Sequence, residues 1–220
     1  MDTDKRIIVF APHPDDETIG CGGTIVRKIA EGFEVIIVVM TSGENALLKI
    51  LGIESDPTPD ELKQIRKDEL LKASRVLGVP ERNLMFLDFE DGTLQEHEKE
   101  AIEKTVKILE KFPADEVYFP YGGDSNPDHK ATNRIVRHCL QRVGLSPVRY
   151  QYSVAQKFSR IGPFIDRRLG PLRKNLSYVD VSDFLDVKRR ALREFKSQAS
   201  IISDIRRKSL KSKEMFYTHN

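Results

Sequence analysis

Four times before about residue 145, a short apolar run gives way to a helical pattern, and this alternation limits the fold more than anything else in the chain. The runs are "RIIVFA" (6–11), "EVIIVVMTSG" (34–43), "NLMFLDF" (83–89) and "DEVYFPY" (115–121). Runs this short, apolar on both faces and rich in β-branched residues, mark strands buried in a parallel sheet. Between and after them lie four helical segments. "GGTIVRKIAEGF" sets Ile25, Ile29 and Phe33 on one face and closes at Gly32. "TPDELKQIRKDELLKASRVLGV" has Thr58 or Asp60 near its cap and Gly78 past its end. "QEHEKEAIEKTVKILEKF" is amphipathic and solvated on one side, and "HKATNRIVRHCLQRV" follows the fourth strand. Successive βα units predict an α/β, Rossmann-like fold with a mainly parallel sheet, right-handed crossovers and helices on both faces.

From about residue 145 the pattern changes. Short extended runs, "VRYQYSVA" and "SYVDVS", flank the basic "RIGPFIDRRLGPLRK", and a last helix is expected from Asp183 to about Ser200. These features predict one domain over 1–220, with a core at 1–144 and an α+β appendage at 145–220 on the same sheet. The basic tail "RRKSLKSKEMF" reads as a solvated helix end. "NALLKILGIESDPTPD" (45–60) is long for a strand-to-helix loop, which suggests a functional flap.

Composition excludes several classes. A net charge of +2 in 220 residues provides no field for nucleic acid or a membrane surface. Few stacking aromatics accompany the basic C-terminal region, so no nucleic-acid partner is expected. No apolar run reaches the roughly 18–20 residues of a membrane span, and "MDTDKR" does not read as a signal peptide. Two cysteines, Cys21 and Cys139, are too few for a disulfide scaffold and read as buried helix residues, so a reducing cytoplasm is the expected location. Oligomeric state stays open, a homo-oligomer included.

Two loops carry the chemistry. "APHPDDETIGCGG" leaves the first strand and "YGGDSNPDHKAT" leaves the fourth. In a doubly wound sheet these strands commonly lie side by side, and ligands bind at that switch point. His13 and Asp16, three residues apart, with His129 from the second loop, make two imidazoles and one carboxylate, the ligand set of a catalytic zinc centre. Asp15 and Asp16, as neighbours, point in different directions, so one can bind the ion while the other faces its water as a general base. Asp128 is placed to orient a histidine. Each loop alone has a plainer reading: "DDE" as an acidic first helical turn, and "NPDH" as a turn with a helix cap. Their joint placement at neighbouring strand ends favours the metal site. A phosphate site at the helix N-terminus is opposed by three consecutive acids. There is no G-x-G-x-x-G, no G-x-x-x-x-G-K-[ST] and no G-x-S-x-G.

These residues resemble the LmbE-like, or PIG-L, de-N-acetylases, zinc-dependent hydrolases of N-acetylglucosamine conjugates and related amides. The likeness rests on "APHPDDE" and "NPDH", with "TSGE" (41–44), "RKDELLKASRVLG", "DG" (91–92) and "KRRALREFKSQ" in the family's order. It implies that His13, Asp16 and His129 hold Zn2+, with Fe2+ or Mn2+ as alternatives, and that Asp15 is the base. It also puts Arg66 and Asp91 near the sugar; the plainer readings are a helix-surface cation and a turn with Gly92. One departure stands out: Asn126 occupies the place of a family histidine. An asparagine can donate to an oxyanion but cannot deliver a proton. His97, His138 and His219 remain as other imidazoles, His97 read as solvated and His138 as a packing or surface residue, and Asp124 would serve only if desolvation raised its pKa. The implied activity is removal of an acetyl group from a small N-acetylated sugar or conjugate. Hydrolysis of another N-acylated amine, or a non-catalytic metal- or sugar-binding homologue, are the alternatives.

Overall fold

The computed structural model describes residues 5–46, 57–154, 175–199 and 207–219. Its strands are β1 (Arg6–Ala11), β2 (Glu34–Thr41), β3 (Leu84–Phe89), β4 (Glu116–Pro120), β5 (Val148–Tyr152), β6 (Leu176–Asp180) and β7 (Lys213–His219). They form one seven-stranded sheet in the order β3-β2-β1-β4-β5-β7-β6. The pairs from β3 across to β5 are all parallel. β7 then runs antiparallel to both β5 and β6. The chain thus builds outward from β1 in one direction, crosses back, and continues through β4, so β1 and β4 are neighbours whose following loops diverge over a crevice.

The α-helices are α1 (Asp16–Ala30), α2 (Pro59–Leu77), α3 (Glu98–Lys111), α4 (Pro127–Arg142) and α5 (Leu185–Leu192). One core layer joins Ile8, Phe10, Val38 and Phe119 to Leu109 of α3 and Ile135 of α4. The other joins Val9, Ile37 and Tyr118 to Ile25 of α1, Leu70 of α2 and Ala191 of α5. Local signals set the helix ends. Thr58 and Glu61 form a reciprocal capping box around Pro59, and Gly78 ends α2 in the left-handed conformation at φ 89°. Among the described residues no helix is long and apolar enough to cross a membrane.

The C-terminal part differs from expectation in two places. The helix expected from Asp183 is short: it runs over Leu185–Leu192, and a 3-10 turn follows at Lys196–Gln198. The chain breaks there because Phe195 enters the core and the Glu69 carboxylate accepts both the N–H and the hydroxyl of Ser197, each at 2.7 Å. The tail is a solvated helix end only at its start, 207–209, and from Lys213 onward it is the strand β7. Phe216 and Glu214 are buried, and the acid is matched by the equally buried Lys188 at 2.6 Å. Glu214 also accepts the N–H groups of Gly23 and Thr24 (2.9 and 2.8 Å) and the Thr24 hydroxyl (2.6 Å), while Lys188 donates to the Ile19 carbonyl at 2.9 Å. The "GCGG" glycines permit this approach: a Cβ on Gly20 would lie 2.3 Å from the Tyr152 ring, and one on Gly23 would lie 2.6 Å from Val181. The flap expected within 45–60 and the basic stretch 160–174 fall largely or wholly outside the described residues.

Candidate metal centre

The loop after β1 is held at nearly every backbone group. Thr41 donates its N–H and its hydroxyl to the Pro12 carbonyl, at 2.9 and 2.8 Å. Arg66 reaches from α2 to the carbonyls of Pro14 (2.9 Å) and Gly43 (2.7 Å). The His13 N–H donates to Asp16 Oδ2 at 3.0 Å, and the Asp15 N–H donates to Glu17 at 3.1 Å. Asp15 itself has φ 139°, a conformation that L-residues rarely adopt. The turn separates the two acids. Asp16 faces the imidazoles, while Asp15 carries its carboxylate to 3.5 Å from Arg66 Nη2.

The loop after β4 is organised by Asn126. Its side-chain oxygen caps α4, accepting from the N–H groups of Asp128 (2.8 Å) and His129 (3.4 Å), with Pro127 in the first helical turn. The Asp128 carboxylate then accepts the N–H of Gly92 at 2.6 Å and that of Leu94 at 3.2 Å. A third loop, the one after β3, is thereby tied to the other two.

The loops converge on one oxygen. Asp16 Oδ2 lies 3.0 Å from His13 Nδ1 and 3.1 Å from His129 Nε2, and the imidazole centroids are 5.3 Å apart. Ligand atoms of His13, Asp16 and His129 all fall within 4.8 Å of one another. The far nitrogens are also engaged. His13 Nε2 sits between Asp128 Oδ2 (3.2 Å) and Asp91 Oδ1 (3.3 Å), and His129 Nδ1 faces Asp124 Oδ2 (3.2 Å). Carboxylates on the outer nitrogens fix each ring's tautomer and direct the inner nitrogen to the centre.

Electrostatics follow from this crowding. Burial opposes charge on His129, but the Asp16 charge and the hydrogen bonds to Asp124 and Asp16 outweigh it and push the imidazole up to about 9. His13 is raised in the same way: burial acts against it, and Asp128, Asp16 and Asp91 prevail. Burial would lift Asp16 and Asp124, yet the histidines hold both below the ordinary carboxylate range. Asp124 is therefore the partner of His129 and not the desolvated acid the sequence allowed for. Asp15, Asp16, Glu17, Asp91, Asp124 and Asp128 are all buried here, against Arg66, His13 and His129. So much buried acid around converging imidazole nitrogens is an environment that a divalent cation stabilises, and the donor set fits one.

Other candidates fall as follows. Arg66 is buried and not on the helix surface, with Nε lacking a hydrogen-bond partner. Asp91 does sit in a turn with Gly92, but its carboxylate is at His13. His97 and His138 are exposed, and Cys21 and Cys139 are buried free thiols. Asp124 and Glu17 were missed as partners. Asp124 lies five residues before His129, a spacing with no periodic signal, and Glu17 looked like an ordinary helix-start acid. Glu44, whose Oε1 accepts the Asp91 N–H at 3.2 Å, was seen only as part of "TSGE".

Residues 8–140 match the family model of the GlcNAc-PI de-N-acetylases, PIG-L. Diacetylchitobiose deacetylase of Thermococcus kodakarensis is 27% identical over 88% of this chain and 70% of its own. A probable N-acetyl-alpha-D-glucosaminyl L-malate deacetylase 2 of Bacillus anthracis is 26% identical over 94% of this chain and 88% of its own. The solved N,N'-diacetylchitobiose deacetylase of Pyrococcus horikoshii superposes with a TM-score of 0.73 at 25% identity, covering 98% of this chain and 84% of that one.

Proposed function

The chain belongs to the PIG-L, or GlcNAc-PI de-N-acetylase, family, and from that premise we propose that it is a metal-dependent hydrolase removing the acetyl group from a small N-acetylglucosamine-type sugar or conjugate. The observation that carries this reading is the single Asp16 oxygen met by imidazole nitrogens from two distant loops, 3.0 and 3.1 Å away. His13, Asp16 and His129 would hold the ion, with zinc the metal of choice for two nitrogens and a carboxylate, and iron(II) or manganese as alternatives. When bound, such an ion polarises an acyl carbonyl and lowers the pKa of water from about 15.7 to about 7.

The chain's own residues do the rest. Asp15, kept beside Arg66 and turned away from Asp16, takes a proton from the attacking water and returns it to the departing amine. That double duty is required because Asn126 has no proton to give. With Oδ1 committed to the cap, the amide Nδ2 of Asn126 is the group available to the oxyanion of the tetrahedral adduct, an interaction worth about 3 kcal/mol in other hydrolases. Asp128 and Asp91 hold the His13 ring from its outer nitrogen, and Asp124 holds His129. Arg66 fixes the Asp15 loop through the Pro14 and Gly43 carbonyls, and from there it would lie near the sugar. Asp91, beside His13, would be the other residue near the sugar. We take residues 1–220 as one domain, because Lys188 and Glu214 bond the appendage directly to α1. Metal analysis joined to acetate release from a panel of N-acetylated sugars tests the reading. Stoichiometric metal with acetate release supports it, and a metal-loaded protein inert across the panel overturns it.

A further inference from the structure

Glu17 is the third acid of "HPDDE", and neither metal binding nor proton transfer uses it. It is fully buried, with one oxygen 3.1 Å from the Asp15 N–H and the other 2.5 Å from the Thr18 hydroxyl. A glutamate reaching back to the N–H of a helix-cap residue is half of a capping box, but that device uses the third helical residue and normally sits in water. Here Glu17 is the second helical residue, and the capping residue is Asp15, at φ 139° and with no side-chain cap hydrogen bond. Such backbone conformations cost about 1–3 kcal/mol and persist only where the surroundings enforce them. Because Glu17 lies in the interior, water has no route to replace it, and its loss would orphan a buried N–H.

We propose that Glu17 is a positioning residue: by accepting the Asp15 N–H it keeps the backbone there in the left-handed region, so that Asp15 faces Arg66 while Asp16 faces the imidazoles. An ordinary helical φ at Asp15 would carry its carboxylate around the helix axis, away from the place that proton transfer needs. The inference rests on Asp15 acting as the base. It goes beyond that reading by assigning the geometry of the base to the acid two residues later.

The test compares Glu17→Ala with Glu17→Gln in the metal-loaded protein, with diacetylchitobiose as substrate. Gln keeps an acceptor oxygen, so kcat should stay close to that of the parent. Ala removes it, and kcat should fall about 100-fold, the cost of an approximately 1 Å misplacement of a catalytic group, with KM and metal content unchanged. Exchange of the Asp15 amide proton, followed by NMR, gives a readout free of turnover: slow in the parent and the Gln variant, fast in the Ala variant. Thr18→Val, which removes only the hydroxyl on Glu17, should give a smaller loss of kcat and intermediate exchange, and it serves where Ala does not fold. Parental kcat or slow Asp15 exchange in folded Glu17→Ala overturns the proposal. Equal losses in Ala and Gln, or losses that track lost metal, overturn it too. Asp15→Asn, assayed alongside, separates the two ideas: normal turnover in that variant removes the base assignment, whereas the amide exchange still decides what Glu17 does.

Discussion

Lys188→Met is the sharpest probe of how the C-terminal elements support α1. In the parent, the Lys188 ammonium lies 2.6 Å from Glu214 Oε1 and 2.9 Å from the Ile19 carbonyl, with the lysine 0% and the glutamate 5% exposed. Methionine fills similar volume but leaves the carboxylate uncompensated in the interior. Breaking a buried pair in this way costs about 3–5 kcal/mol. For a chain of this length each kcal/mol lowers Tm by about 2–4 °C, so the variant should melt about 6–20 °C below the parent. The three hydrogen bonds that Glu214 accepts from Gly23 and Thr24 keep the carboxylate from being wholly orphaned, which favours the lower half of that range. Glu214→Gln should also destabilise, by leaving the ammonium unmatched. The double variant, with neither charge, should lose less than the two single losses added together, by about 1 kcal/mol or more. Calorimetry on all four proteins under one buffer measures this directly. A Lys188→Met variant melting within about 2 °C of the parent, or strict additivity, would show that the pair is not coupled in the interior.

Asp15→Asn should retain bound metal by elemental analysis and lose turnover about 10²- to 10⁴-fold, the usual contribution of a general base. Gly23→Ala should cost about 1–3 kcal/mol in chemical denaturation, because the new methyl meets Val181 2.6 Å away in a filled interior. Burial pushes the Cys139 thiol up to about 12 and raises Cys21 as well. A raised thiol pKa means less thiolate at any working pH, so at pH 8 only about one Cys139 in 10⁴ is reactive. Mass spectrometry should therefore find both thiols alkylated slowly in the native protein and rapidly once it is unfolded.

The strands and helices of residues 6–142 were readable because each local signal agreed with its tertiary setting. Thr58, Pro59 and Gly78 mark the limits of α2 as their chemistry dictates. Adjacency of β1 and β4 followed from crossover rules, and it brought His13 and Asp16 to His129. What could not be read was long-range charge compensation. "KEMFYTH" looks too polar for a strand in the sheet until Lys188 is known to lie against Glu214. The last helix failed for a similar reason, since Ser197 turns to meet Glu69 from 128 residues away. Partnership between Asp124 and His129 depends on the shape of a loop, and no hydropathy period reports that.

If His13, Asp16 and His129 form the metal centre, all three must bind one ion, and crystals grown with zinc and measured on both sides of its absorption edge show whether they do. One full-occupancy anomalous peak is expected about 2.0–2.2 Å from a ring nitrogen of each histidine and from an Asp16 oxygen. An anomalous peak elsewhere, with no ion between these three side chains, would overturn the assignment.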